Sequence, residues 1–260
     1  MTRTSSVVPV QVIDAATTAA FASAAADWMC GHLISAPASV LAIPTGNTPL
    51  SLYAELIARS RSGAVSLDRA RIFNLDEYCG LEASDPRSFA AYLHRHLISP
   101  LALRPTQVRL LQGDAVDIEL ECRAYDAAIA DSGGIDLCVL GLGANGHIAF
   151  NEPGTPWHLR THVADLSECT RAAQRRTVPP QQTAEHWPVP SRGVTMGIAT
   201  LLEARHVLLL IAGAGKAAAM KALHGGVPCI NWPVTSLAVH PSLTVIRLCE
   251  VTERASLSIR

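Results

Sequence analysis

The sequence has few charged and few aromatic residues, and its charges are balanced. Of its 260 residues only 17% are charged and 5% are aromatic, and the formal net charge is -1. Nucleic acids and anionic membranes bind to clustered basic residues, so this balance gives no support for either partner. The longest apolar runs, such as residues 207–212, are far shorter than a membrane span. The N-terminus has no convincing signal peptide, and we predict a soluble, cytoplasmic protein.

Cysteine pairs at metal-binding or redox spacing are also missing. The seven cysteines are odd in number and widely scattered, and no C-x-x-C pair occurs among them. This pattern argues against a disulfide framework and against a zinc site. We therefore expect unpaired thiols in a reducing compartment and no bound metal ion.

Apolar strand-like runs alternate with Ala- and Leu-rich helical runs along the chain. Hydrophobic residues make up 49% of the sequence, which is enough for a sizeable core. Predicted strands lie at residues 39–43, 71–75, 108–111, 135–140, 207–211 and 243–248. Predicted helices lie at residues 15–30, 49–60, 86–96, 118–131, 196–202 and 216–224. The alternation predicts an α/β fold, a Rossmann-like open and mostly parallel sheet with helices on both faces, in a single domain over residues 1–260.

One segment, residues 154–192, departs from this alternation. It is rich in Thr, Arg, Gln and Pro, and prolines interrupt it repeatedly. Two interpretations stay open at this point, a solvated connection between elements and a mobile lid over a functional site.

A strand–loop–helix pattern that suits anion binding lies at residues 41–53, LAIPTGNTPLSLY. Thr48 suits a helix N-cap and Pro49 suits the first helical turn. Gly46 allows the backbone to turn tightly toward a ligand. Free N–H groups and the positive end of the helix dipole would then face an anion, although an ordinary capped helix is the alternative. The pattern is not a Walker A loop, because Gly-Lys-Ser/Thr is absent.

Two adjacent carboxylates, Asp76 and Glu77, follow the predicted strand at residues 71–75. Ligands of open α/β sheets bind at the carboxyl ends of the strands. A carboxylate at that position is a candidate general base if its surroundings bring its pKa toward the working pH. Simple solvation of a loop is the alternative for this pair taken alone.

A glycine-rich motif, IDLCVLGLGANGHIAFNEPG, occupies residues 135–154 and includes G-x-G-x-x-G directly after a strand. A dinucleotide site is excluded because its fingerprint opens a long helix, and here a Pro-Gly pair would end any helix within about two turns. The glycines instead present Asn145, His147 and Glu152 from one compact loop. A histidine beside a carboxylate suits proton transfer near neutral pH, whereas a structural histidine is the alternative. No second His or Cys lies at metal-ligand spacing.

Two basic groups complete the set of candidates. Lys216 follows the predicted strand at residues 207–211, and Arg176 belongs to an arginine cluster within residues 154–192. Both residue types bind phosphate, although a solvated face is the simpler explanation of the arginine cluster alone. The anion loop, the carboxylates, the histidine loop and the lysine all fall at carboxyl ends of predicted strands. Together they suit proton transfer on a small phosphorylated substrate.

Four segments of the chain resemble the glucosamine-6-phosphate deaminase/isomerase family: PTGNTPL, FNLDEYCGL, GLGANGHIAFNEPGT and TMGIATLLEARHVLLLIAGAGK. The resemblance extends over residues 41–248, in order and with family-like spacing. GHIAFNEPG is highly specific, since the 6-phosphogluconolactonases of the broader superfamily have a loop similar to D-G-H-T-A-S-L-F-P. The resemblance implies an aldose–ketose isomerising deaminase, a hydrolase acting on a C–N bond, in N-acetylglucosamine catabolism. It also implies that no cofactor is needed.

The resemblance assigns a role to each candidate residue. Asp76 matches the general base that carries a proton from C2 to C1, His147 matches the ring-opening acid–base, and Glu152 matches its carboxylate partner. Asn145 stands where hexameric members have Asp, which removes a charge beside the histidine. The substrate phosphate is assigned to Thr45, Gly46, Asn47, Thr48, Arg176 and Lys216, and further substrate contacts to Glu77 and Gly143.

The implied reaction converts D-glucosamine 6-phosphate and water to D-fructose 6-phosphate and ammonia. The pyranose opens, C2 loses its proton to give an enolamine, C1 is reprotonated, and hydrolysis of the resulting imine releases ammonium. Allosterically activated hexameric members have basic residues shortly after the N-E-P loop, where this chain has His162 and Ala164. We expect weak or absent allosteric activation, and the oligomeric state stays open between monomer and homo-oligomer.

Three alternative functions stay open. The same chemistry on galactosamine 6-phosphate differs only in how the C4 hydroxyl is recognised. Lactone hydrolysis is disfavoured by the two adjacent carboxylates and by the AFNEPG loop. A sugar-phosphate sensor domain of a transcription regulator needs a DNA-binding module, and the residues before the strand predicted at 39–43 show no basic helix-turn-helix pattern.

Overall fold

The computed structural model describes residues 10–175, 188–213 and 215–249, and within them the chain forms ten strands and seven α-helices. The strands are β1 (Gln11–Ala15), β2 (Val40–Ile43), β3 (Arg71–Asn74), β4 (Asp76–Tyr78), β5 (Val108–Arg109), β6 (Leu137–Gly141), β7 (His162–Asp165), β8 (Arg192–Thr195), β9 (His206–Ile211) and β10 (Leu243–Leu248). The helices are α1 (Thr18–Ser35), α2 (Leu50–Arg61), α3 (Phe89–Leu93), α4 (Ile118–Asp131), α5 (Glu168–Arg175), α6 (Ile198–Leu202) and α7 (Ala217–His224). A π-helical turn, His94–Ile98, continues α3.

Seven strands form one parallel sheet in the order β1-β10-β9-β6-β2-β3-β5. Its central strands are apolar on both faces because helices cover both sides. In β2, Leu41 and Ile43 pack in the cluster with α1 and α2, whereas Val40 and Ala42 pack in the cluster with α4 and α7. This alternation is the two-residue period of a strand between two apolar layers. The predicted α/β class with a mostly parallel sheet is confirmed.

A second, smaller sheet has the order β4-β8-β7 and is antiparallel. Strand β4 begins one residue after β3 has ended, so Leu75 is the point where the chain passes from one sheet to the other. The segment at residues 154–192 supplies β7, α5 and the start of β8, and the sequence analysis predicted none of these. They are short and polar, and their strand partners are distant in sequence, so the local pattern does not show them.

Two further predictions differ from the structure. Strand β1 was not predicted, because QVIDA mixes polar and apolar residues, and it lies at the sheet edge with β10 as its neighbour. Thr48 is not the N-cap of α2. The helix begins at Leu50 with Pro49 in the capping position, and no side chain caps it.

Two further features of the described residues concern the cysteines and the helices. All seven cysteines lie in the described ranges and all are unpaired. Within the same ranges, no helix combines the length and the apolar character that a membrane crossing requires.

Candidate active site

A cleft of about 280 Å³ opens at the carboxyl ends of four adjacent strands, β9, β6, β2 and β3. This is the edge at which parallel α/β sheets bind ligands. Helix α5 forms one of its walls. Eight of the predicted site residues line it: Thr45, Gly46, Asn47, Thr48, Asp76, Gly143, His147 and Lys216. A ninth, Arg176, lies outside the described residues.

The turn between β3 and β4 places Asp76 in the cleft, and Asn74 fixes that turn. Asn74 Nδ2 donates to the backbone oxygen of Asp76 at 2.7 Å. Its Oδ1 accepts from the Leu111 N–H and from the Tyr125 hydroxyl, both at 2.9 Å. Because both ends of the Asn74 amide are occupied, the chain leaves β3 in one defined direction.

The Asp76 carboxylate is buried and receives no hydrogen bond from the part of the chain that the structure describes. The residue is 7% exposed. Burial raises the pKa of Asp76 to about 8, and the neighbouring charge of Glu77 adds to the rise. A buried carboxylate without donors is a stronger base than one in water, which suits proton abstraction near neutral pH.

Glu77 does not line the cleft, and its assigned substrate contact stays a prediction. Its carboxylate accepts hydrogen bonds from the N–H groups of Tyr78 at 2.7 Å, Phe89 at 2.9 Å and Ala90 at 2.8 Å. Phe89 and Ala90 begin α3, so Glu77 holds the N-terminus of that helix. Successive side chains of a strand face opposite sides, and Asp76 takes the cleft side of β4. Burial raises the pKa of Glu77 to about 7, against the effect of the three N–H donors.

The glycines of the loop after β6 make room for the imidazole of His147. The Gly143 N–H donates to the His147 carbonyl at 2.9 Å. A Cβ on Gly143 would lie 2.3 Å from the ring, so only glycine allows the ring to pack against this backbone. Gly146 has a φ of +85°, a conformation that favours glycine, and a Cβ there would lie 2.6 Å from Trp232. The glycines of this motif thus make space for a histidine, which agrees with the exclusion of a dinucleotide site.

Asn145 stands between His147 and Glu152. Its Oδ1 lies 2.6 Å from His147 Nδ1, and its Nδ2 donates to Glu152 Oε2 at 2.8 Å. Glu152 Oε2 is 4.0 Å from the same ring nitrogen. Glu152 thus lies within ion-pair distance of the histidine and is also linked to it through the Asn145 amide, and its assigned role as carboxylate partner stays a prediction.

This arrangement sets the proton positions on the neutral imidazole. An ionised carboxylate only accepts hydrogen bonds, so the Asn145 amide must turn its NH₂ to Glu152 and its oxygen to His147. Nδ1 then carries the proton, and Nε2 keeps a free lone pair. Burial lowers the pKa of His147, Lys216 lowers it further, and the charge of Glu152 opposes both effects. The site therefore favours a neutral histidine that is ready to accept a proton at Nε2.

Helix α5 contributes a residue that the sequence analysis missed. Thr170 Oγ1 lies 3.1 Å from His147 Nδ1, and the Ser167 N–H donates to Glu152 Oε1 at 3.1 Å. The start of the helix is thus docked on the histidine loop. The only signal in the sequence was indirect, since a lid was one of the two interpretations that stayed open for residues 154–192.

Backbone N–H groups and one cation also line the cleft. Gly46 has a φ of +97°, which a residue with a Cβ would adopt only with strain. The loop with Gly46 leads to the N-terminus of α2, whose dipole favours an anion. Lys216 lies between β9 and α7 and makes no ion pair within the described residues. Its burial lowers its pKa.

Clustered metal ligands do not accompany these groups. In the portion of the chain that is described, no group of His, Cys, Asp and Glu side chains is arranged to hold a metal ion. The functional groups of the cleft are a carboxylate base, a neutral histidine and a pocket for an anion.

Comparison with known proteins assigns the chain to a family. The model of the glucosamine-6-phosphate isomerases/6-phosphogluconolactonases matches residues 15–245, and the chain belongs to this family. A glucosamine-6-phosphate deaminase of Shouchella clausii is 43% identical over 210 residues, which are 81% of this chain and 83% of the relative. A glucosamine-6-phosphate deaminase of Streptomyces coelicolor is 41% identical over 221 residues, which are 85% of this chain and 83% of the relative.

Solved structures of the same superfamily superpose on the whole fold. A monomeric glucosamine-6-phosphate deaminase has a TM-score of 0.87 and 35% identity, with coverage of 96% of this chain and 100% of the other. The 6-phosphogluconolactonase of Trypanosoma cruzi has a TM-score of 0.75 at 20% identity, with coverage of 95% and 97%. The second likeness shows a shared fold only.

Proposed function

We propose that this chain is a glucosamine-6-phosphate deaminase, an enzyme that converts D-glucosamine 6-phosphate and water to D-fructose 6-phosphate and ammonia. The observation that carries the proposal is a pair of proton-transfer groups in one cleft. Asp76 is a buried base without hydrogen-bond donors from the described residues, and His147 presents an unprotonated Nε2. The agreement with deaminase relatives over more than 80% of the chain supports the same assignment.

Ring opening is the task that we assign to His147. The closed sugar must lose the proton of its C1 hydroxyl while its ring oxygen gains one. Nε2 is free to take the first proton and to return it to the ring oxygen, while Nδ1–H stays bonded to Asn145. Asn145 and Glu152 keep the ring in this orientation, so both act as positioning residues.

Asp76 performs the transfer between carbons in this proposal. In the open aldehyde, ionised Asp76 takes the proton from C2 and leaves an enolamine across C1 and C2. The resulting carboxylic acid then gives a proton to C1. Water adds to the C2 imine and ammonia leaves. A pKa of about 8 suits a group that must first accept and then donate a proton near neutral pH.

The phosphate group is assigned to the loop after β2 and to Lys216. The loop Thr45–Thr48 supplies N–H groups and hydroxyls, and Lys216 supplies a charge that no described carboxylate neutralises. A phosphate held there would place the six-carbon chain across Asp76 and His147. Arg176, which lies outside the described residues, remains part of the proposal through the family resemblance.

Replacing Lys216 by Ala is expected to raise KM by about ten- to a hundredfold, because a charge-assisted contact to the phosphate is lost. Part of the loss appears in kcat if phosphate binding also positions C1 and C2. Steady-state kinetics on glucosamine 6-phosphate measure both constants. Lys221→Ala, on the same helix but outside the cleft, is the matched control. Unchanged kinetics in Lys216→Ala would remove this lysine from the site.

The pH profile tests how Glu77 acts on the base. Asp76 works only when it is ionised, so its raised pKa means that kcat/KM falls as the pH drops through about 8. Glu77→Gln removes a neighbouring negative charge and lowers the pKa of Asp76, so the acidic limb should move to lower pH. Thermal unfolding checks that α3 keeps its N-terminal contacts. An acidic limb at the same pH in a folded variant would contradict this coupling.

Ammonia release from three compounds tests the function itself. We expect equimolar ammonia and fructose 6-phosphate from glucosamine 6-phosphate. Faster release from galactosamine 6-phosphate, with tagatose 6-phosphate as product, would favour the closest alternative. Hydrolysis of 6-phosphogluconolactone without ammonia release from either amino sugar would overturn the proposal.

The segment at residues 154–192 is proposed to act as a lid in one domain that covers residues 1–260. Support comes from α5, which forms a wall of the cleft and contacts His147 through Thr170. The position of His162 on β7, followed two residues later by Ala164, supports weak or absent allosteric activation. A cytoplasmic location, and a role in N-acetylglucosamine catabolism, follow from the proposed reaction.

A further inference from the structure

Two tyrosines outside the cleft hold the backbone of the phosphate loop. The Tyr53 hydroxyl donates to the Pro44 carbonyl at 2.5 Å, and the Tyr92 hydroxyl donates to the Gly46 carbonyl at 2.5 Å. Tyr53 lies on α2 and is 1% exposed, whereas Tyr92 lies on α3 and is half-buried. Neither side chain lines the cleft. The loop is thus held by two hydroxyls that do not line the cleft.

The geometry of the peptide bond means that these two contacts also fix the direction of N–H groups in the loop. In a trans peptide the carbonyl and the following N–H point in opposite directions, and the described residues contain no cis peptide. The Pro44 carbonyl is paired with the N–H of Thr45, and the Gly46 carbonyl with the N–H of Asn47. Each tyrosine that fixes a carbonyl outside the cleft therefore fixes an N–H toward it.

Helix α3 joins this loop to the catalytic base. Its first N–H groups, those of Phe89 and Ala90, are bound by Glu77, the residue next to Asp76. Three residues after Phe89, Tyr92 reaches Gly46. One short helix thus contacts both the strand that presents the base and the loop that presents the phosphate donors. Helix α3 therefore links the position of the phosphate loop to the position of the base.

We infer that Tyr92 and Tyr53 are positioning residues for phosphate recognition, which aim the N–H groups of Asn47 and Thr45 at the substrate phosphate. The inference rests on the proposed function for the identity of the substrate. Whatever the substrate, a tyrosine hydroxyl that does not touch it controls the affinity for phosphate.

Tyr92→Phe is the decisive variant because it removes one hydroxyl and keeps the ring. We expect KM for glucosamine 6-phosphate to rise about three- to tenfold, while kcat changes by less than about twofold. The affinity for inorganic phosphate, measured by calorimetry, should fall by the same factor. Tyr53→Phe should show the same split and also a lower melting temperature, because the buried Pro44 carbonyl then has no donor.

The matched control is Tyr78→Phe. Tyr78 packs against Phe89, which lies on α3 with Tyr92, but the Tyr78 hydroxyl makes no hydrogen bond within the described residues. We expect wild-type KM and phosphate affinity from it. An equal rise of KM in Tyr78→Phe and Tyr92→Phe would show a general packing effect and would overturn the inference.

Two further outcomes separate this inference from the proposed function. Unchanged phosphate affinity in a folded Tyr92→Phe protein would overturn the inference even if the wild type is an active deaminase. A wild type that binds inorganic phosphate but releases no ammonia would contradict the function, and the effect of Tyr92→Phe on phosphate affinity would still decide the role of the tyrosine. A wild type that binds no inorganic phosphate would overturn the inference, whereas ammonia release alone decides the function.

Discussion

Replacing Asp76 by Asn is expected to lower kcat by about a thousandfold or more and to leave KM nearly unchanged. Asn has the shape of Asp but cannot accept a proton from C2. The carboxylate receives no hydrogen bond from the described residues, so the substitution disrupts no contact that the structure shows. Turnover is measured as ammonia release from glucosamine 6-phosphate.

Folding and binding are the controls for this variant. The melting temperature and the affinity for fructose 6-phosphate should both stay near those of the wild type, because the phosphate end of the cleft is untouched. A folded Asp76→Asn protein that retains more than a few per cent of kcat would remove Asp76 from the role of C2 base.

Replacing His147 by Gln is expected to lower the rate on the cyclic sugar by about a hundredfold or more. Gln fills much of the same space and can bond to Asn145, but it cannot take the C1 hydroxyl proton. The C2 step should suffer less, because Asp76 performs it. Two assays separate the steps, namely pre-steady-state turnover of glucosamine 6-phosphate and solvent exchange of the C1 hydrogen of open-chain fructose 6-phosphate in the presence of ammonium, which forms the C2 imine.

The comparison between these two assays decides the role of the histidine. Turnover of the cyclic substrate should collapse, while exchange from the open ketose should survive much better. Equal losses would show that His147 supports all the proton transfers and is not a dedicated ring-opening group. Asn145→Asp provides a graded control, since a negative charge beside Nδ1 raises the pKa of His147 and should change the pH dependence of ring opening.

The sequence predicted those parts of the site that depend on strand ends. Four apolar runs were predicted as parallel strands, and the groups that follow them had to meet at one edge. Thr45, Asp76, His147 and Lys216 do line one cleft in the structure. Their convergence follows from topology alone, because the carboxyl ends of parallel strands lie together.

Contacts between distant segments could not be predicted in this way. The assigned substrate contact of Glu77 stays a prediction, and the sequence did not show that strand alternation turns this side chain toward α3. Glu152 was assigned as the carboxylate partner of His147, and the sequence did not show that the Asn145 amide also links the two. In both cases the contact depends on the direction of one side chain, which the local sequence does not specify.

The small sheet and the tyrosines were missed for a related reason. Strands β7 and β8 are polar and only four residues long, and their pairing depends on β4, which is distant in the chain. Tyr92 reaches Gly46 across 46 positions of sequence. Local periodicity has no information on such pairs, so they become visible only once the sheet has placed α3 beside the loop.

The origin of the new C1 hydrogen in the product tests the central claim, that Asp76 carries a proton between adjacent carbons of an amino sugar phosphate. The wild-type protein converts glucosamine 6-phosphate in deuterated water, and the fructose 6-phosphate is analysed by NMR. One base on one face of the enolamine predicts that the new hydrogen, whether protium from C2 or deuterium from solvent, occupies a single one of the two C1 positions. Deuterium at both C1 positions, or a product without ammonia release, would contradict the account.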